Sequence, residues 1–319
     1  MRILYLIQTF KNQEQIYRLV QIIKKSSPES IVLISHDFTA SDLAIGPLIN
    51  LSEVEILRLN GKGGRGDFSM IQGYLDALEW AFSHNIEFDW LINLSGQDYP
   101  TQPLPLIEKF LAETEYDGFL QYFDALSDSE RNPWGVKETR DRYFYQYWRS
   151  GVSISPNSLF SKIVNRVVLG INNVQPLIRL CWLYDCIMVG VSANSRLFNE
   201  KFSCYGGSYY HTLSKKCVQY LYDFSQKNPD FVEYYKNTIC PNESYVQTVL
   251  INSGLFNLCN SYKRYIKFFK DQDGSHPRTL TSEDYPTLIK DDIHFARKFE
   301  PAKDSRILDT LEARILQDG

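Results

Sequence analysis

The sequence predicts an α/β fold with a mostly parallel central sheet and helices on both faces. Through the first 120 residues, short apolar runs of strand length alternate with amphipathic stretches of helix length. Alternation of this kind is typical of parallel strands joined by crossover helices. The chain has 319 residues and neither a Pro/Gly/Ser-rich linker nor an internal repeat. We therefore expect a single domain over residues 1–319.

The first half supplies most of the predicted sheet. The apolar runs are ILYLI, IVLIS, VEILRL, DWLINLS and DGFLQYF, and the helical stretches between them cover residues 12–25, 68–84 and 104–112. Residues 139–190 differ in character, because an aromatic and basic stretch precedes an apolar segment interrupted by polar residues. This change predicts an insertion or a lid over the sheet.

The second half contains two further predicted helices. Tyr245, Val246, Val249 and Leu250 form one apolar stripe at helical spacing, and RYIKFF is typical of a strand. Residues 303–319 predict a C-terminal helix whose apolar face carries Ile307, Leu308, Leu311 and Ile315.

Composition narrows the range of functions. The net charge of −4 argues against a nucleic-acid partner, because such binding depends on clustered Lys and Arg. Six cysteines form no C-x-x-C pair, and five scattered histidines add no zinc-ligand spacing. The N-terminal apolar run is too short for a signal peptide, and no run reaches the ~20 residues of a membrane span. These features predict a cytoplasmic protein. Lys162, Arg166 and Arg179 leave contact with a membrane surface open.

Polar residues follow three of the predicted strands. They are Ser35-His36-Asp37, the glycine-rich Gly61–Arg65 and Ser95-Gly96-Gln97-Asp98. Sheets of this kind place their sites at the carboxyl ends of strands. A plain loop explains any one of the three by itself. The glycine-rich stretch lacks the spacing of known phosphate-binding loops, although its glycines allow the backbone to approach a ligand closely.

Glu243 lies at the mouth of the predicted helix of TICPNESYVQTVLINSG. Asn242 is a candidate N-cap, and Ser244 to Gln247 is a second candidate capping box. Glu243 is therefore expected in the first turn, where the helix dipole favours a carboxylate by roughly 0.3–1 kcal/mol. On this evidence alone, a purely structural role explains Glu243.

Five segments in one order resemble a known enzyme family. They are LINLSGQDYPTQPL, CYGGSYYHTLSK, CPNESYVQTVLINS, SHPRTLTSEDY and HFARKFE, at residues 91–104, 204–215, 240–253, 275–285 and 294–300. This set is similar to the core-2/I-branching N-acetylglucosaminyltransferases and the peptide O-xylosyltransferases. The resemblance implies a glycosyltransferase of the GT-A fold type that inverts the anomeric carbon of a UDP-sugar and needs no metal or other cofactor. The implied acceptor is a glycan, and GlcNAc or xylose is the implied sugar.

The resemblance also implies roles for individual residues. Glu243 matches the general base, Arg297 and Lys298 match the pair that holds the diphosphate, and Asp37 matches a uridine contact. Gly64, Ser95, Asp98 and Tyr209 are predicted on the donor side, and Tyr210 and Trp148 on the acceptor side. No residue is assigned to a metal. The family context predicts a bacterial-type enzyme of polysaccharide synthesis, cytoplasmic or peripheral to the inner face of the cell membrane.

One departure from the family pattern and two rival hypotheses remain. Tyr209 stands where the xylosyltransferase pattern has aspartate, which leaves the donor sugar open. A metal-dependent transferase could instead use Asp271 and Asp273 of KDQDG, although an aspartate-rich turn before Gly274 explains that stretch. The second rival is an inactive glycan-binding protein on the same fold.

Overall fold

The computed structural model describes residues 1–59, 64, 66–153, 159–183, 186–193, 197–268 and 277–317. No helix within these residues is both long and apolar enough to cross a bilayer.

Strands and helices alternate along most of the chain. The strands are β1 Ile3–Thr9, β2 Ile31–His36, β3 Val54–Arg58, β4 Trp90–Ser95, β5 Asp98–Pro100, β6 Gly118–Leu120, β7 Phe123–Asp124, β8 Tyr145–Ser153, β9 Ile178–Leu183, β10 Cys186–Ser192, β11 Tyr205–Gly206, β12 His211–Ser214, β13 Leu258–Cys259, β14 Arg264–Ile266 and β15 Phe295–Arg297. The helices are α1 Gln13–Ser26, α2 Gly46–Ile49, α3 Ser69–Ser83, α4 Leu104–Glu113, α5 Gly135–Tyr143, α6 Leu159–Val174, α7 Lys215–Lys227, α8 Pro229–Lys236, α9 Tyr245–Ser253, α10 Tyr285–Leu288 and α11 Arg306–Gln317.

The central sheet has seven strands in the order β13-β6-β12-β4-β1-β2-β3. β1 pairs in parallel with both β2 and β4, and β2 pairs in parallel with β3. Only β12 runs antiparallel to its neighbours β4 and β6. The predicted α/β class with a mostly parallel central sheet is therefore confirmed.

Alternate residues of β1 enter two different cores, one on each face of the sheet. Ile3, Tyr5 and Ile7 pack in the core that includes residues of α1, α4 and α11. Leu4 and Leu6 pack in the core that includes residues of α3, α7 and α9. Because β1 is buried on both faces, it is continuously apolar, as the run ILYLI indicated.

The apolar stripes predicted for the two late helices are confirmed by burial. Tyr245, Val246, Val249 and Leu250 of α9 are all buried, and so are the four predicted residues of α11. The strand predicted from DGFLQYF is instead two short strands, β6 and β7, in different sheets. Gln121 and Tyr122 lie between them, where the backbone leaves the central sheet.

Two smaller sheets build the surroundings of the site. β14, β15 and β5 form one of them, which joins residues 98–100 to residues 295–297. β8, β10 and β9 form an antiparallel sheet that is separate from the central one. α6 lies between β8 and β9 in the sequence and packs against β9. This second sheet and α6 lie largely within residues 139–190, for which the role of a lid stays a prediction.

Two buried histidines make the stability of the fold sensitive to acid. Burial, with the positive charge of Arg264, lowers the pKa of His211 to about 3. Burial also lowers the pKa of His294 to about 3, aided by Lys263 and Arg264. Both side chains are thus neutral in the folded chain at pH 5, whereas the unfolded chain protonates them below pH ~6.5.

We expect the free energy of unfolding to fall as the pH drops from about 6.5 towards 3, by about 1.4 kcal/mol per pH unit for each histidine. The His294→Phe change should flatten this dependence, because it removes the titrating imidazole. A phenylalanine ring should fit there, because the ring of His294 already packs edge-on against Phe110. Urea unfolding at pH 7 and pH 5 measures the effect, with the exposed His84→Phe as the control. An equal loss of stability in His294→Phe and in the parent chain would contradict the assignment.

Candidate active site

The carboxyl end of β1 lies between two of the predicted site segments. The Gln8 carbonyl accepts a hydrogen bond from the Gly96 amide at 3.3 Å, and the Thr9 carbonyl accepts one from the Asp37 amide at 3.0 Å. At this point the chain leaves β1 for β2 on one side, while β4 lies on the other. Such a reversal of strand order leaves a crevice in which ligands bind. Ser95 and Asp37 therefore flank the predicted crevice.

Arg297 lies beside the predicted site segment Ser95-Gly96-Gln97-Asp98. β15 places Arg297 opposite Asp98 of β5, and the Arg297 Nε is 3.5 Å from the Asp98 Oδ1. The Asp98 carboxylate is fully buried, and its Oδ2 accepts a hydrogen bond from the Ser95 amide. The guanidinium of Arg297 also lies over the ring of Tyr210, 4.4 Å from its centroid. Ser95, Asp98, Tyr210 and Arg297 thus form one cluster.

A second arginine lies beneath this cluster. Arg264 is buried, donates to the carbonyls of Asn93 and His211, and lies 5.9 Å from the centroid of the Tyr210 ring. Burial lowers its pKa to about 10, and the carboxylate of Asp98 opposes that shift. Burial raises the pKa of Tyr210 to about 12, although Arg297 acts in the opposite direction. Two guanidinium groups therefore share one buried carboxylate.

Lys298 follows β15 directly. Its carbonyl accepts a hydrogen bond from the Leu280 amide at 2.9 Å, and the amide of Phe299 donates to the Gln97 carbonyl at 2.9 Å. The second of these bonds ties residue 299 to the segment after β4, and the first ties residue 298 to residue 280. The predicted diphosphate-binding pair is thereby held beside Ser95 and Asp98.

Glu243 is the last residue of a short 3-10 helix, Pro241–Glu243, and α9 begins at Tyr245. The prediction that Glu243 lies in the first turn of the buried helix is therefore wrong. Neither Asn242 nor Ser244 makes a side-chain cap to these helices, and the Ser244 hydroxyl donates instead to the Tyr205 carbonyl at 2.7 Å. The predicted caps fail because the 3-10 turn and the contact with Tyr205 already fix the entry into α9.

An arginine that the sequence analysis did not single out holds Glu243. The Arg142 Nη1 is 2.6 Å from the Glu243 Oε2, and the Arg142 Nη2 is 2.5 Å from the Glu138 Oε1. The guanidinium also lies 4.4 Å from the centroid of the Trp134 ring. Although burial acts to lower the pKa of Arg142, the charged groups around it, Glu243 among them, leave that pKa raised. Arg142 is thus a fixed cation beside the predicted base.

The loop that carries Glu243 is fastened from three sides. The Ile239 amide donates to the Arg142 carbonyl at 3.1 Å, and the Cys240 amide donates to the Gly66 carbonyl at 2.8 Å. The Glu243 carbonyl accepts a bond from the Gly207 amide at 2.8 Å. A Cβ on Gly207 would lie 1.9 Å from the Gln121 carbonyl oxygen, so only glycine fits this approach. Two of the resembling segments, residues 204–215 and 240–253, therefore meet at Glu243.

The remaining predicted residues have different surroundings. Gly64 donates its amide to the Ser69 hydroxyl at 2.8 Å, close to the Gly66 contact of Cys240. Tyr209 is 5% exposed, and its hydroxyl donates to the Gln8 side chain at the end of β1. Among the described residues, no ring contact or hydrogen bond joins Trp148 to Glu243 or Arg297, and its side chain on β8 is exposed. The donor and acceptor roles of these residues stay predictions.

The residues that the structure describes contain no group of three or more His, Cys, Asp or Glu side chains arranged to hold a metal ion. Asp271 and Asp273, the pair of the metal-dependent hypothesis, lie outside the described residues.

Arg142 and Arg264 carry only faint signals in the sequence. Arg142 lies four residues after Glu138, a spacing that pairs opposite charges on a helix, but the pair alone does not point to Glu243 about 100 residues later. Arg264 is a cation in a short apolar strand, which predicts burial against a partner without naming that partner.

Comparisons with known proteins relate the chain to one family of enzymes. Residues 178–291 match the family model described as Branch: Core-2/I-Branching enzyme. The beta-glucuronosyltransferase GlcAT14B of Arabidopsis thaliana is 24% identical over 93% of this chain and 59% of its own length. The beta-glucuronosyltransferase GlcAT14A of the same plant is 23% identical over 79% of this chain and 48% of its own length. The chain thus spans about half the length of these relatives.

One solved structure aligns with the chain at low similarity. The galactosyltransferase LgtC, crystallised with donor and acceptor sugar analogues, aligns with a TM-score of 0.40 and 9% identity over 98% of this chain and 95% of that one.

The match of residues 178–291 to the core-2/I-branching enzyme model confirms the resemblance predicted from the sequence. Both curated relatives are named as glycosyltransferases, and their similarity to this chain spans most of it at low identity.

Proposed function

We propose that the protein is an inverting glycosyltransferase that moves a sugar from a UDP-sugar to a hydroxyl of a glycan without a metal ion. Glu243 acts as the general base, and Arg297 with Lys298 holds the diphosphate. The observation that carries the proposal is the ion pair of 2.6 Å between Glu243 and Arg142. Glu243 lies in the segment that matches the family's base. The Glu243 side chain is 37% exposed, so a substrate can reach it.

The proposed reaction is one displacement at the anomeric carbon. Glu243 takes the proton of the acceptor hydroxyl while that oxygen bonds to the anomeric carbon. The bond from this carbon to the phosphate oxygen breaks, and UDP leaves on the opposite face with the electron pair. One base suffices for such a step. Arg142 supports it, because its ion pair with Glu243 fixes the direction of the carboxylate.

Cations at the other end of the crevice support the departure of UDP. The leaving diphosphate gathers about two negative charges, which many related enzymes neutralise with a divalent ion. Arg297 presents a planar fork of donors, and Lys298 adds a point charge. The side chain of Arg297 is 18% exposed although it contacts the buried Asp98. It therefore has the access that a diphosphate contact requires.

The donor sugar is the least constrained part of the proposal. The family resemblance points to GlcNAc or xylose, whereas both matched plant relatives are named beta-glucuronosyltransferases. We propose UDP-glucuronate as the first donor to test. The cytoplasmic location and the glycan acceptor remain parts of the proposal that rest on the family context.

The first prediction concerns the base. Glu243→Gln should retain UDP binding and lose transfer by on the order of 10²–10⁴-fold, since an amide cannot accept the proton. Glu138→Gln is the matched control, because it removes the other carboxylate of Arg142 and leaves the base in place. Single-turnover kinetics with a labelled donor measures the loss. Near-parental transfer by Glu243→Gln would remove this residue from the mechanism.

The second prediction concerns the cations. Transfer should survive EDTA, and Lys298→Ala should lower it by on the order of 10²–10³-fold, the usual effect of losing one electrostatic donor. Arg297→Lys is preferable to Arg297→Ala, because alanine would leave the buried Asp98 without its nearest cation. The double change Asp271→Asn and Asp273→Asn should have little effect. A strict requirement for manganese, with the aspartate pair as the sensitive site, would instead support the metal-dependent alternative.

The third prediction concerns the donor. UDP-glucuronate should raise the midpoint of thermal unfolding more than UDP-GlcNAc or UDP-xylose, because a ligand that binds only the folded chain stabilises it by mass action. UDP alone serves as the reference for the nucleotide. A larger shift with UDP-GlcNAc or UDP-xylose would return the donor to the sugars that the resemblance implied. Equal shifts for all donors and for UDP would contradict sugar recognition and favour the inactive alternative.

A further inference from the structure

An exposed apolar surface lies at the end of α6, where the chain turns into β9. Val174 is 85% exposed and Leu177 is 67% exposed, and they flank the Gln175-Pro176 turn. Ile178 and its partner across the strands, Val191, are also exposed, at 42% and 47%. We call these four residues the tip surface. Exposed apolar groups concentrated in this way mark a surface that binds a partner or a membrane.

The apolar character continues along α6. Val167 and Ile171 are exposed and lie seven and three residues before Val174, a spacing that puts all three on one side of the helix. Val168 is buried, and the side chain of Asn172 bonds to the backbone of Leu180 on β9. The helix therefore packs against the sheet with one face and presents apolar residues on another.

The charge of this segment is opposite to that of the whole protein. Residues 142–184 contain no Asp or Glu, although the chain has 38 of them and a net charge of −4. Arg166 on α6 is exposed, whereas Arg149 on β8 lies 3.4 Å from the carboxylate of Asp67. Arg179 does not contribute, because it is paired with Asp141 at 2.7 Å. An apolar tip with a cation beside it and no acids in the segment suits an anionic surface.

A second copy of the chain fits the same surface poorly. A symmetric dimer would bring the same patch of both copies together, so Arg166 would face like charge with no acid from this segment beside it. The anionic headgroups of a bilayer supply the missing negative charge, and its acyl region accepts the apolar tip.

We propose that the tip surface inserts into the interface of an anionic lipid bilayer, with Arg166 against the headgroups. Ile178 of the tip surface is the first residue of β9. The next residue of β9, Arg179, forms an ion pair with Asp141 of α5, and Asp141 directly precedes Arg142. Docking through the tip therefore fixes the orientation of α5, whose Arg142 is paired with Glu243. The proposal does not depend on the transfer reaction, because lipid binding is measured without a donor.

Flotation with vesicles tests the proposal. The full chain should float with vesicles of phosphatidylcholine plus phosphatidylglycerol, should not float with phosphatidylcholine alone, and should bind less as salt is raised. The double change Val174→Ser and Leu177→Ser should lower binding by about tenfold, and Arg166→Glu should lower it about as much. Arg166→Lys should retain it.

The matched control carries Ile49→Ser and Leu255→Ser, which alter exposed apolar residues of comparable exposure outside the segment. It should float like the parent chain, and the thermal midpoints of all variants should agree. Three outcomes overturn the proposal: no flotation with either vesicle, equal flotation with both, or flotation unaffected by the tip changes. A dimer in light scattering that the tip changes dissociate, without flotation, would assign the surface to a second copy instead.

Discussion

The placement of β1 between β2 and β4 is the constraint on which the site depends. Because β1 pairs in parallel with both neighbours, residues at its carboxyl end lie beside the ends of two other strands. Gln8 and Thr9 reach Gly96 on one side and Asp37 on the other through backbone bonds alone. The crevice is thus a product of strand order, and the side chains that line it can vary without moving it. Both cores pack against β1, so the hydrophobic effect that stabilises the fold also fixes this edge.

The charged groups of the site are arranged in two separate sets. Arg297 and Arg264 share the buried Asp98 and the ring of Tyr210, while Arg142 joins Glu243 to Glu138 over Trp134. A buried carboxylate without a cation would destabilise the folded chain. The burial of Asp98 therefore requires the arginines, just as the carboxylate favours their burial. This coupling means that a residue proposed for the donor side also supports the fold.

Much of the architecture could be predicted from apolar patterns. The run ILYLI and the stripes of α9 and α11 reflect burial against a core, and burial is a property that a local pattern records. The position of Glu243 was harder, because a 3-10 turn and a helical first turn have the same composition and only the contact of Ser244 with Tyr205 separates them. Arg142 could not be assigned, since its partner lies 101 residues along the chain. Pairings at that distance depend on tertiary packing, which no single window of sequence contains.

The pairing of β5 with β15 has a consequence for how the protein is made. Phe295, Ala296 and Arg297 bond to residues 98–100, and their other neighbour is β14, at residues 264–266. During translation the first strands and α3 can collapse early, but the sheet that carries Arg297 must wait for almost the whole chain to leave the ribosome. Until then the guanidinium of Arg297 is missing beside Asp98. The surroundings of this buried carboxylate are therefore completed late in synthesis, after the central sheet is in place.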